Sequence, residues 1–194
     1  LHINSPWTKE KPLRKELSNR LRSIQIPEKT ETAHSLLMGS GLGRKEHNFD
    51  TASKNVELPP LKLSYVKNPT TDYLVDNLER SGVTIKRVPV NNYIELYAAP
   101  ATDTDSLIGW NDFCDYDPHS SLYNALNPER PLIYDRGQTY RDILLKIASS
   151  NEEKTRNDGY ENLMDRIFSD AFTVPLFYKW QDYFASPHLD ISNL

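Results

Sequence analysis

The 194 residues carry a formal charge of -4 with a sequence pI near 5.8, which removes the long-range attraction to phosphate on which non-specific nucleic-acid binding depends. Hydrophobic residues at 38% and charged residues at 26% are the proportions of a folded globular chain, and they point to neither a disordered nor a membrane protein. Cys114 is the single cysteine, so an internal disulfide and a thiolate cage for zinc or iron–sulfur are excluded as well.

No apolar run approaches the roughly 20 residues of a membrane helix, and the start LHINSPWTKEKPLRK lacks the apolar stretch of a signal peptide. Such a chain is cytosolic, has lost a leader, or is cut from something longer. Leu1 in place of an initiator methionine, and LHIN reading like the middle of a strand, favour the last. Leu13, Leu17, Leu21 and Ile24 then repeat at helical spacing with arginines and lysines on the other faces, and Pro27 ends that amphipathic helix. A second short helix is expected through Ala33, Leu36 and Leu37, stopping where Gly39, Gly41 and Gly43 cluster. Residues 44–60 show no period and read as a loop.

LKLSYV (61–66) alternates as a strand with one buried face should. A helix over 71–80 follows, stopped by Ser81 and Gly82, and VTIKRVPV (83–90) alternates again. Strand, ten-residue helix, glycine and strand make a βαβ unit, which implies parallel pairing and an α/β class: a mixed sheet with flanking helices. A short helix over 93–99 precedes SLIGW (106–110), whose nearly continuous apolar character predicts a strand buried on both faces.

NDFCDYD (111–117) turns the chain from that strand into a helix opened by Pro118 and marked by Leu122, Tyr123 and Leu126. Tyr140, Ile143, Leu144 and Ile147 form one later helical stripe; Tyr160, Leu163, Met164, Ile167, Phe168 and Ala171 form another. Ser150 and Glu153 have capping-box spacing, while Gly159 weakens the early part of the last helix by about 1 kcal/mol relative to alanine. FTVPLFYKW (172–180) and residues 183–185 are aromatic and β-prone, with Pro175 marking an edge or bulge. No repeat or long linker divides residues 1–194, so one compact unit is expected.

The chemistry-bearing residues assemble no enzyme. The five histidines stand in no HExxH or HxH pattern, and Cys114 beside aspartates has its thiolate disfavoured by like charge. GSGLGRK (39–45) lacks the spacing and ending of a phosphate loop and follows a helix instead of a strand, so it reads as a loop. Asp112, Asp115 and Asp117 allow cation binding or acid–base work, but a solvated turn explains them too, with Asp117 placed to cap the helix at Pro118. Their position after an apolar strand favours a binding role for at least one, because ligands of open α/β sheets bind beyond the carboxyl ends of strands. A hydrolase would need a nucleophile, base and oxyanion set that these residues do not supply. Neither a metal nor a cofactor is expected.

The order of landmarks resembles bacterial extracellular solute-binding protein family 5, which serves ABC-type importers of oligopeptides, dipeptides and nickel. LHIN with PLRKELSNRLRSIQIP (12–27), the GSGLG loop, the βαβ from LKLSYV to VTIKRVPV, SLIGW running into DYDP, and VPLFY (174–178) follow the family's order over nearly the whole chain. The resemblance implies one lobe of a periplasmic-binding-protein type II-like fold: the C-terminal lobe of a two-lobed protein whose N-terminal lobe and leader lie outside this chain. It further implies a monomer, periplasmic or at the cell surface, that inserts no segment into the membrane, delivers its solute to the permease of an ABC importer, and encloses a peptide or similar small molecule by hinge closure.

In the family an aspartate shortly after Gly-Trp pairs with the peptide's free ammonium while strand backbone continues a ladder with the peptide main chain. Counted from the proline, that position is Cys114, so the loop departs by one residue. The resemblance carries the amine-binding role to Asp115 first and Asp112 second, with Gly109 and Asn111 as backbone contacts and Trp110 as a wall. A transcriptional regulator using the same lobe pair to sense a solute is the alternative. A secretory leader upstream marks the importer, and a helix-turn-helix marks the regulator.

Overall fold

The computed structural model describes residues 6–28, 30–33, 42, 56–98, 104–109, 117–126 and 139–179. Helix α1 (Pro6–Lys9) leads directly into α2 (Lys11–Ser23), which buries Leu13 and Leu17 where the heptad-like spacing requires. Arg20 and Arg22 lie in its last turn, the end at which a cation is favoured. Strand β1 (Thr30–Thr32) follows, and Ala33 after it is not helical. The short helix expected through Ala33 is therefore wrong at its start, because this backbone pairs with a distant strand; Leu36, Leu37 and Gly39 lie outside the described residues.

Strand β2 (Leu61–Val66), helix α3 (Pro69–Arg80) and strand β3 (Ile85–Val90) form the expected βαβ unit, with parallel register from Leu61↔Ile85 to Val66↔Val90. The helix begins two residues earlier than its apolar period suggests, since Asn68 caps it by accepting from the Thr70 and Thr71 amides at 3.0 Å, and Pro69 fits the first turn. Gly82 closes it at φ 91°, a conformation a side chain would strain. Helix α4 (Tyr93–Ala98) and strand β4 (Ser106–Ile108) follow; β4 pairs with β2 in parallel, giving the order β3-β2-β4.

The central position of β2 changes one expectation and the edge position of β4 another. Leu61, Leu63 and Tyr65 are buried as the alternation predicts, but Ser64 and Val66 are buried too, so both faces of β2 are covered. Ser106, Leu107 and Ile108 are instead half-buried: among the described residues β4 has a neighbour on one side alone, so the strand is not covered on both faces as its apolar run suggested. Its entry is fixed to β2 by a reciprocal pair, the Lys62 amide to the Asp105 carboxylate and the Asp105 amide to the Lys62 carbonyl, both 2.8 Å.

Three helices complete the described chain: α5 (Pro118–Ala125), α6 (Thr139–Ala148) and α7 (Glu153–Asp170), after which β5 (Phe177–Lys179) pairs antiparallel with β1. Only these three residues of the β-prone 172–180 stretch form a strand among those described; residues 183–185 lie outside them. The capping box at Ser150 and Glu153 does not form. The helix is capped at Glu152 without a side-chain bond, and Ser150 accepts only a long 3.4 Å contact from the Glu152 amide.

Two apolar cores result. Trp7, Leu13 and Leu17 pack with Leu61, Leu63, Tyr65, Val75, Leu78 and Val83 around one face of the parallel sheet. The stripes of α5, α6 and α7 meet in the other, where Leu122, Leu144, Met164 and Ile167 are fully buried and Leu42 packs from outside. Gly159 belongs to this second core: a Cβ there would stand 2.8 and 2.9 Å from carbons of Ile147. The glycine thus permits close approach of α6 and α7, which offsets its weak helix propensity. Gly159→Ala is expected to lower the unfolding free energy by about 0.5–2 kcal/mol, overpacking outweighing the gain of roughly 1 kcal/mol in propensity. A urea midpoint equal to or above wild type would show that Ile147 yields without cost.

Candidate functional site

Parallel pairing places the carboxyl ends of β2, β3 and β4 on one edge of the sheet, at Val66, Val90 and Ile108. That edge is where open α/β sheets receive ligands. Asn68, Asn91 and Asn92, beyond β2 and β3, are nevertheless already engaged. Asn68 caps α3 and donates to the Val66 carbonyl at 3.2 Å, and Thr71 Oγ1 donates to that same carbonyl. The Glu95 carboxylate accepts from the Asn91 amide at 2.9 Å and from both asparagine side chains, while Asn92 Oδ1 accepts from the Glu95 amide at 2.9 Å. The Asn91 amide and side chain, with Asn92, hold the Glu95 carboxyl below the usual carboxylate range. These groups build the start of α4.

An apolar surface takes their place. Helix α4 leaves the carboxyl end of β3, buries Leu96, and exposes Tyr93 and Ile94, the latter at 82%. Tyr97 stacks on Tyr93 at 6.3 Å between centroids. The sequence reading passed over these residues. The signal was there: YIELYA has aromatic side chains four apart on a helix with one buried leucine, too short to cover both.

Beyond β4, Gly109 is exposed and follows the strand directly. Trp110, Asn111, Asp112 and Asp115 lie outside the described residues, as does Cys114. Asp117 does cap α5, its carboxylate accepting from the His119 amide at 2.9 Å. The helix is then anchored by rings: His119 stacks on Tyr123 at 6.0 Å and leans on Tyr160 of α7 at 6.4 Å. Burial, and secondarily the Asp117 carboxylate, push the Tyr160 hydroxyl up. Arg141 donates to Tyr123 Oη at 2.9 Å and lies over its ring. Pairing of β4 with β2 thus runs as far as Ile108, and α5 is fixed from its first turn by the Asp117 cap and the His119 ring contacts.

Among the described residues no three His, Cys, Asp or Glu side chains gather in a way that could hold a metal, and no helix is long and apolar enough to cross a membrane.

No protein-family profile matches the chain, and no curated protein does so either. Solved structures do. The unliganded open form of the periplasmic murein tripeptide binding protein MppA superimposes with a TM-score of 0.73 at 14% identity, covering 91% of this chain and 40% of its own. OppA of Burkholderia pseudomallei gives 0.69 at 16% identity, with 91% and 41% covered. The periplasmic binding protein DppA of Helicobacter pylori, in complex with the peptide STSA, gives 0.66 at 16% identity, with 92% and 40% covered. The chain has the α/β fold of these three structures, the fold its sequence landmarks resemble. It spans about two fifths of their length.

Proposed function

We propose that this chain is the C-terminal lobe of a two-lobed solute-binding component of an ABC-type importer, closing over a peptide or similar small solute. What supports this reading is that three parallel strands end on one edge, that Gly109-Trp110 and its aspartates follow the last of them in the sequence, and that the fold is shared with a murein tripeptide binding protein and with DppA in complex with a peptide. Asp115, or Asp112 as its substitute, pairs with the ammonium terminus of the solute, Gly109 and Asn111 offer backbone groups, and Trp110 forms a wall. Tyr93 and Ile94, exposed on the same edge, add apolar surface for a side chain of the solute.

In this reading the protein works as a monomer outside the cytoplasmic membrane, hands its solute to a permease, and catalyses nothing. The fold neighbours are binding proteins, and their partial overlap with this chain is what a single lobe would give.

The test is a calorimetric screen of di- to pentapeptides against the parent protein that carries this chain. Binding is expected, and Asp115→Asn or Asp112→Asn is expected to weaken it on the order of 10- to 100-fold, the worth of one charge-assisted bond in a dry cleft. No binding across the screen, or unchanged affinity in both variants, would overturn the assignment.

A further inference from the structure

The chain leaves α7 through a strained residue. Ala171 sits at φ 53° and ψ 36°, the left-handed region in which a Cβ crowds the following carbonyl. Such a conformation persists where its surroundings over-determine it. Here they do. The Ala171 amide donates to the Phe168 carbonyl at 2.9 Å, and Arg14 Nε of α2 donates to the carbonyl of Asp170 at 2.8 Å. The Arg14 guanidinium lies 4.1 Å from the Phe172 ring centroid and reaches the Trp7 carbonyl at 3.4 Å. The Asp170 carboxylate accepts from Lys11 Nζ at 2.9 Å and from Tyr140 Oη at 2.6 Å. Groups from α2 and α6 therefore close on both sides of one peptide unit.

The position of this knot matters because α2 and α7 are the helices whose onward chains become β1 and β5. Among the described residues that antiparallel ribbon shares no ladder with the parallel sheet. Its mouth is closed by the Ala33 amide bonded to the Leu176 carbonyl at 3.2 Å, and Thr30 Oγ1 donates to the Pro27 carbonyl at 2.6 Å. Residues 171–176 carry the chain from the end of α7 to β5. We propose that Lys11, Arg14 and Tyr140 form a lock on the Ala171 turn that fixes the angle of the β1–β5 ribbon to the helical body, and that opening the lock frees the ribbon to move as a unit. The strain held at Ala171 favours opening, and the buried Arg14 cation on Asp170 and Phe172 opposes it.

Hydrogen exchange read by mass spectrometry tests this, with Lys11→Met, Arg14→Met and Tyr140→Phe. Each lock variant is expected to exchange the amides of 30–33 and 177–179 on the order of tenfold faster, with β2 and β3 unchanged. Lys11 is partly exposed, so its variant keeps the test open if loss of the buried arginine prevents folding. Ala171→Gly in the Lys11→Met background is expected to raise the thermal midpoint without slowing ribbon exchange, because glycine relieves the turn but restores no contact. Unchanged ribbon exchange in the lock variants, or equal acceleration in the ribbon and the parallel sheet, would overturn the proposal.

Discussion

Leu122→Ala should lower the free energy of unfolding by about 2–5 kcal/mol, a loss that urea titration reads directly. Leu122 is fully buried on α5 within the core that α6 and α7 complete, among Leu144, Met164 and Ile167, which are equally shielded. Truncation removes contact atoms and leaves a cavity that three helices can only partly collapse. The consequence extends to the proposed site, since α5 is the helix into which the corner after β4 runs. A peptide affinity that falls in step with the loss of packing is therefore expected of the parent protein. A cost under about 1 kcal/mol would mean that α5 is not seated in this core.

Asp170→Asn should cost about 1.5–3 kcal/mol near neutral pH, the range for hydrogen bonds to a charged group. The carboxylate joins α2 to α6 through Lys11 and Tyr140, and the Lys11 partner is 43% exposed, which keeps the expected loss below that of a fully buried pair. Burial alone would raise the acid's pKa. Bonds from Tyr140 and Lys11, with the charges of Lys11 and Arg14, outweigh it and hold the carboxyl below its ordinary value. A carboxyl depressed in the folded state stabilises above its unfolded pKa, near 4, and loses that contribution as pH falls through the folded value. The gap between wild type and Asp170→Asn is thus expected to be full at pH 7 and to close progressively below about pH 4. A gap independent of pH across that window would show that geometry, and not charge, is what the variant loses.

Much of the fold could be read from one sequence because its signals are local. Helices α2, α3, α6 and α7 follow apolar periods of three and four, and the βαβ unit follows alternation with a stop at Ser81-Gly82. Asp117 before Pro118 likewise announced its own role as a cap. The expectations that failed depended on partners. Thr30–Thr32 was missed as a strand because its ladder is formed with Phe177–Lys179, and the burial of β2 and β4 follows from which strand lies in the centre. For the site, sequence landmarks singled out the corner after Gly109, while the exposed Tyr93 and Ile94 became candidates only once parallel pairing put α4 on the same edge.

The α/β class, the βαβ unit and the main helices were legible along the chain, since propensity, period and capping act over a few residues. Tertiary structure decided that Arg14 is buried against a carbonyl 156 positions away, that Gly159 is a contact point for Ile147, and that an alanine turns the chain out of α7 in a left-handed conformation. Each of these is a property of two segments meeting, and no window along a single segment contains it.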